Sequence, residues 1–198
     1  MWKFPEESIT DLFTKRDNKN LSPRGVGNFI FEIALFAMFG ALMFASKKIM
    51  EVIPNVHLLG MFIMVLTVVF RVKALIPIYL YIMLDGLFGG FGMWWIPYLY
   101  IWAVLWGITM LLPKNIPPKI AAVVYPLICA LHGLAFGTLY APTQALMYGL
   151  DFEQTLTWIA VGIPYDLIHC VSNLCVGILI LPFSQLLKKL ISKSRYKI

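Results

Sequence analysis

The stretch Leu58-Leu59-Gly60-Met61-Phe62-Ile63-Met64-Val65-Leu66-Thr67-Val68-Val69-Phe70 carries no charge and a single hydroxyl. Asn55 and His57 close it on one side, Arg71 and Lys73 on the other, so it reads as an apolar helix over 56–72 with polar groups at both ends. A bilayer crossing takes about 20 apolar residues. The rest of the chain repeats the pattern: of 198 residues, 60% are hydrophobic and 13% charged, with a mean hydropathy of +0.80. Soluble domains run at roughly 45–50% and 25%. So small a protein has too little interior to hide that surplus, which leaves lipid to cover it.

Apolar runs and the turn residues between them place six spanning helices, over 26–53, 56–72, 74–88, 93–112, 119–140 and 152–181. The expected fold is therefore an all-α integral membrane protein, six transmembrane helices in one bundle over 26–190. An amphipathic segment (1–25) precedes it and a basic tail (191–198) follows. Residues 141–151 read as a loop. Pro77, Pro97, Pro126 and Pro164 fall inside spans, which lipid tolerates when neighbouring helices satisfy the freed carbonyls. In the N-terminal segment, Phe4, Ile9, Leu12 and Phe13 alternate with charged residues, as in a helix lying on the inner leaflet. The first apolar run begins only near Val26, which speaks against a cleaved signal peptide. Cys129, Cys170 and Cys175 sit in apolar runs without metal-type spacing.

Orientation follows from the sixteen basic residues. Only Lys47 and Lys48 fall on one side of the expected membrane; all the others lie before helix one, between helices two and three, between four and five, or after helix six. By the positive-inside rule both termini are cytoplasmic. The net charge of +6 is then an orientation signal and a contact for anionic lipid, and no nucleic-acid partner is expected.

With the sides assigned, the outer half holds most of the unusual chemistry. Candidate binding residues are Asn55 and His57 after helix one, Asp85 at the end of helix three, and Trp94, Trp95 and Tyr98 at the start of helix four. His132 and Tyr140 on helix five and Tyr165, Asp166 and His169 on helix six complete the set. Ionisable groups in a span are costly and usually face the bundle interior. Asp166, His169 and Asn173 are spaced three and four apart and share one helical face. That stripe either binds a ligand or joins helices by hydrogen bonds, the latter reading being strongest for Asn173. The tryptophans serve an interfacial belt as readily as a pocket, and Lys47, Lys48 and His57 also suit a solvated loop. On helix one, Ala37, Ala41 and Ala45 recur every fourth residue beside Gly40, which lets another helix approach closely, within this chain or from another subunit.

The alanine stripe, Pro54-Asn55-Val56-His57-Leu58, His132-Gly133-Leu134-Ala135-Phe136-Gly137, and Pro164-Tyr165-Asp166-Leu167-Ile168-His169 followed by Asn173 resemble the substrate-binding S components of energy-coupling factor (ECF) transporters. The resemblance spans roughly residues 26–190, and the helix-six pattern is its most specific part. It implies capture of a vitamin or similar micronutrient from outside, then docking on a transmembrane coupling subunit driven by two cytosolic ATPases, with toppling in the membrane to release the cargo. It also implies that Ala37, Ala41 and Ala45 form the docking stripe and that the loop around Asn55 is a substrate lid. The chain has no phosphate-cradling Gly-x-x-x-x-Gly-Lys-Ser/Thr loop of its own, so energy has to come from a partner. No resident cofactor or metal is expected. Two rival classes stay open: a structural or morphogenetic membrane protein, and an intramembrane enzyme. The enzyme reading is disfavoured, because there is no His-Glu-x-x-His motif and no nucleophile stands out.

Overall fold

The structure, a computed structural model, describes residues 23–53 and 55–194. The expected amphipathic N-terminal segment, apart from its last residues, and the tail residues Arg195 and Lys197 lie outside the described residues. Within them every regular element is helical. Helix α1 is Pro23–Met50, α2 Leu59–Phe70, α3 Leu75–Gly89 and α4 Tyr98–Leu111. Then follow α5 Pro118–Leu134, α6 Phe136–Tyr148, α7 Phe152–Gly177 and α8 Ile180–Lys193, with short 3-10 turns at Arg71–Ala74 and Met93–Trp95.

Side-chain pairings give the direction of each helix. Glu32 pairs with Lys73 beside the start of α3, Lys47 pairs with Asp85 near its end, and Phe44 packs on Phe88 at 5.1 Å. Helices α1 and α3 therefore run side by side in the same sense. Helix α2 runs against them: Phe70 at its end meets the Phe36 ring edge-on at 5.1 Å, whereas Leu59 at its start lines one cavity with Lys47. The chain reverses at Arg71–Ala74, where Arg71 takes the left-handed φ of +56° that a side chain rarely adopts. Its guanidinium donates to the Met110 carbonyl at 2.6 Å, and the Trp106 indole donates to the Arg71 carbonyl at 3.1 Å, so α4 holds the turn.

Helix α4 descends against α3, tied by Tyr79 to the Leu99 carbonyl (2.9 Å) and Trp95 to the Ile82 carbonyl (2.8 Å). Helices α5 and α6 rise as one bent stretch, and α7 returns along them in the closest helix packing of the bundle. Gly133 makes that approach possible: a Cβ there would lie 2.9 Å from the His169 carbonyl oxygen and 2.8 Å from the Asn173 amide nitrogen. Helix α2 is the axis, with Leu59, Ile63, Met64 and Leu66 wholly buried against Ile78, Trp102 and Leu105. The outward faces are apolar as well: Phe29, Ile33, Met38, Leu131, Val161 and Val171 are all exposed. Water would leave such a surface prone to association; a bilayer solvates it.

Five stretches are long and apolar enough to cross a membrane: Gly25–Met50, Leu59–Gly89, Met93–Leu111, Pro118–Tyr148 and Phe152–Gly177. The expected second and third helices form the two arms of one of these, Leu59–Gly89. Two boundaries differ from the sequence reading. Residues 141–148, read as part of a loop over 141–151, continue α6 through Pro142 until Gly149 ends it at φ +65°; the Tyr100 hydroxyl donates to the Leu139 carbonyl at 2.6 Å, supporting the backbone near that proline. The last helix does not stop at 181 but goes on as α8. Its apolar residues Phe183, Leu186, Leu187 and Leu190 lie along Phe39, Met61, Phe62 and Val65, while Lys188, Lys189 and Lys193 stay exposed.

Candidate functional site at the Lys47 end

Where α1 ends, the chain crosses the top of the bundle in the loop 51–58 and encloses a cavity of about 150 Å³. Its walls include Lys47, His57, Tyr98, Trp102, Phe136 and His169. The loop is strapped down by Asn55, whose side-chain amide donates to the Tyr165 carbonyl at 3.1 Å. Asn55 itself has φ +59°, a conformation that asparagine accepts more readily than most residues.

Aromatic rings fill the wall. The His57 ring lies 4.6 Å from His169 and 5.8 Å from Trp102, both edge-on, and Phe136 lies 5.0 Å from His169 and 5.6 Å from Trp102. Tyr98 stands 5.9 Å from Trp102, and Trp94 5.7 Å from Tyr98. Lys47, which the sequence allowed as a solvated loop residue, has its side chain only 16% exposed. It pairs with the wholly buried Asp85, with its ammonium 5.2 Å from the Tyr98 ring centre and 5.6 Å from that of Trp94. The burial that Asp85 costs is offset by this partner. His57, in the loop, is pushed down to about 4 chiefly by burial, with the Lys47 charge acting the same way, so it is neutral at pH 7.

Buried polar groups in folded proteins are almost always hydrogen-bonded, yet this end holds a cluster that is not. Among the described residues, His57 Nδ1, Tyr81 Oη, Asp85 Oδ1, Trp102 Nε1, His132 Nδ1 and both ring nitrogens of His169 are buried without a partner. His132 Nε2 lies 3.0 Å from the Ile101 carbonyl; a carbonyl only accepts, so that nitrogen carries the proton and Nδ1 is left as an acceptor. Of these residues His57, Trp102 and His169 line the cavity, with the Trp102 N–H as donor and the two imidazoles able to do either, so the wall offers both kinds of partner among aromatic rings; Tyr81, Asp85 and His132 stand behind it. Among the described residues no group of His, Cys, Asp or Glu is arranged to hold a metal ion.

The expected site residues divide into four groups. Asn55, His57, Tyr98 and His169 line the cavity, and Asp85, His132 and Trp94 stand behind that wall. Tyr140 supports it, as Asn55 also does: the Tyr140 hydroxyl donates to the Trp94 carbonyl at 2.9 Å, and its ring stacks on Trp158 at 5.9 Å. Trp95, Tyr165 and Asp166 do other things. Trp95 ties α4 to α3; the Tyr165 side chain is 57% exposed on the outside of α7. The Asp166 carboxylate accepts the Gly137 N–H at 3.0 and 3.1 Å, in the first turn of α6. Its share of the polar stripe is thus spent on a backbone donor that the break between α5 and α6 leaves free. Asn173, one turn beyond His169, joins helices by donating to the Cys129 carbonyl at 3.1 Å. Sequence reading missed Lys47, Tyr81, Trp102 and Phe136 as site residues. Trp102 is one helical turn from Tyr98 and Tyr81 one turn from Asp85, so the i, i+4 spacing that marked the α7 stripe was available for both.

Along α1, Ala37, Ala41 and Ala45, the last only two residues from Lys47, are all exposed; none of the described helices covers them. Compared with known proteins, the chain matches no family model, no curated protein and no solved structure.

Proposed function

We propose that this chain is the membrane-embedded capture subunit of an ATP-driven importer of the ECF type, binding a small micronutrient with a flat heterocyclic ring in the cavity at the Lys47 end. The observation that carries the reading is the cluster of unpartnered buried groups around that cavity. Leaving a buried donor or acceptor unpaired costs about 1–3 kcal/mol, so the arrangement makes physical sense as a site completed by a polar guest. At about 150 Å³ the space equals roughly five waters at ~30 Å³ each, enough for one ring rather than a drug-sized molecule of the kind held in sites of about 300–1,000 Å³. Lys47 pairs with Asp85, the cavity-lining Glu51 pairs with Lys48 at 3.0 Å, and His57 is neutral, which suits a guest of no net charge.

In this reading six helices cross the bilayer, α2 and α3 counting separately, and both termini are cytoplasmic. Arg71, Lys73, Lys114, Lys119, Lys188, Lys189 and Lys193 gather at one end, against Lys47 and Lys48 at the other, which supports an outward-facing cavity. The exposed alanine face of α1 suits close approach by a helix of a coupling subunit.

The test is to purify the full chain in mild detergent and identify by mass spectrometry the small molecule it retains, then titrate that molecule back. A single-ring compound bound in unit stoichiometry is expected. Protein that retains nothing, and whose melting temperature no heterocyclic micronutrient raises, rejects the reading in favour of a structural membrane protein. For docking, Ala41→Trp is expected to keep ligand affinity while abolishing co-purification with the coupling subunit; intact co-purification would remove α1 as the docking face.

A further inference from the structure

We infer that the opposite end of the bundle carries a binding site for the phosphate headgroup of an anionic lipid. A groove of about 460 Å³ opens where the 3-10 turn Arg71–Ala74 meets the end of α8. Arg71, Lys73 and Lys188 line its rim, and Val69, Phe70 and Ile191 its walls. Three cations share one nearby carboxylate: Glu32 pairs with Lys73 at 2.8 Å, while Lys188 has no ion pair among the described residues. Two positive charges are left uncompensated. Arg71 spends one N–H on the Met110 carbonyl, yet its Nε is buried without a partner. A guanidinium with spare donors beside a free ammonium is the arrangement that phosphate oxygens match.

The surroundings select a lipid over a free anion. The groove sits where the apolar arms α2 and α3 end, the depth at which headgroups lie. Its apolar walls continue onto exposed Val72 (61%) and Leu190 (57%), giving acyl chains a surface to follow while the phosphate stays at the basic rim. The site is independent of the cavity at the Lys47 end and stands or falls without it.

Native mass spectrometry of the detergent-solubilised full chain, titrated with phosphatidylglycerol or phosphatidylcholine of the same acyl chains, tests the inference. Phosphatidylglycerol is expected to be retained at collision energies that strip phosphatidylcholine. Lys188→Gln should weaken its binding about fivefold, since a basic residue near an anionic headgroup contributes about 1 kcal/mol. Lys119→Gln, at the same end but outside the groove, should change nothing. Equal retention of the two lipids, or a Lys188→Gln protein that binds as the parent does, overturns the site. A Lys119→Gln loss equal to that of Lys188→Gln shows diffuse attraction and overturns it too. If inorganic phosphate displaces the lipid at millimolar concentration, the site belongs to a free anion and the lipid assignment fails.

Discussion

At the scale of single residues, Asp166 and His169 look equivalent in sequence and differ in the folded chain. Asp166 holds the N–H of Gly137, so Asp166→Ala should lower stability by about 0.5–2 kcal/mol, as the loss of a helix cap does, with ligand affinity changed less than threefold in the protein that remains folded. His169 has no partner to lose. His169→Phe, which keeps the ring packed on His57 and Phe136 and removes only the two nitrogens, should therefore leave the melting temperature unchanged or raised while weakening ligand binding by tenfold to a hundredfold, the cost of about 1–3 kcal/mol for an unpaired polar group. Thermal unfolding and titration of both variants decide the matter, and the reverse pattern would put Asp166 in the site. Sequence could not separate the two, because Gly137 lies 29 residues from Asp166 and nothing local announces the break at Ala135. Lys47 was illegible for the same reason: its partner Asp85 is 38 residues away. His57 gives a pH test. Its imidazole titrates at about 4 in the fold and near 6.5 in an unfolded chain. Between these values the unfolded state binds more protons, so stability is lost as pH falls from about 6.5 to about 4 and is flat with respect to this group above 6.5. The shift sets an upper bound of about 3 kcal/mol on this group's contribution. A His57→Phe protein should show a shallower fall across that window; an unchanged slope would mean that the ring is solvated.

At the scale of elements, among the described residues one side-chain hydrogen bond, from Asn55 to the Tyr165 carbonyl, straps the stretch 55–58 to α7. Asn55→Gly keeps the left-handed backbone accessible and removes only the strap, about 1 kcal/mol. Amide hydrogen exchange over 51–58 is expected to speed up about fivefold, and ligand release with it; exchange as slow as in the parent would show that packing, not Asn55, closes the cavity. The helices themselves were legible because their apolar runs are long and their breaks carry Pro, Gly or charge. Where reading failed, an exception to those signals was at work. Pro142 is a breaker by rule but stays helical because Tyr100 reaches the backbone beside it. The last helix ends at Leu181 in the sequence reading, with lysines following from 188 on, yet the apolar face of α8 carries the chain on to Lys193 along α2.

At the scale of the whole molecule, the two ends differ in charge, and a test of sidedness follows from exposure. On a cysteine-less background, a cysteine at Ser192 should react with a membrane-impermeant maleimide only after the inner face is opened. One at Leu146, 86% exposed beyond the cavity, should react in intact cells. Labels reacting from the same side would mean an even number of crossings between them, and would remove the outward-facing cavity. The all-helical fold and its long apolar stretches were legible from the apolar runs and the breaks between them. The site was legible as a set of residue types at one end, but its assembly depends on contacts between α1, α2, α4 and α7 that no local pattern encodes.

The reversal at Arg71 has a bearing on how the chain is made. The charges of Arg71 and Lys73 keep the middle of Leu59–Gly89 out of lipid from the moment it emerges, but the left-handed geometry at Arg71, which costs about 1–3 kcal/mol, is held by Trp106 and the Met110 carbonyl. Those groups are synthesised some forty residues later. The turn between α2 and α3 is thus completed late: α1 already holds the two arms through Phe36 on Phe70 and Phe44 on Phe88, but a nascent chain arrested before Tyr98 is expected to present the 71–74 backbone to a protease that a chain extended past Leu112 resists.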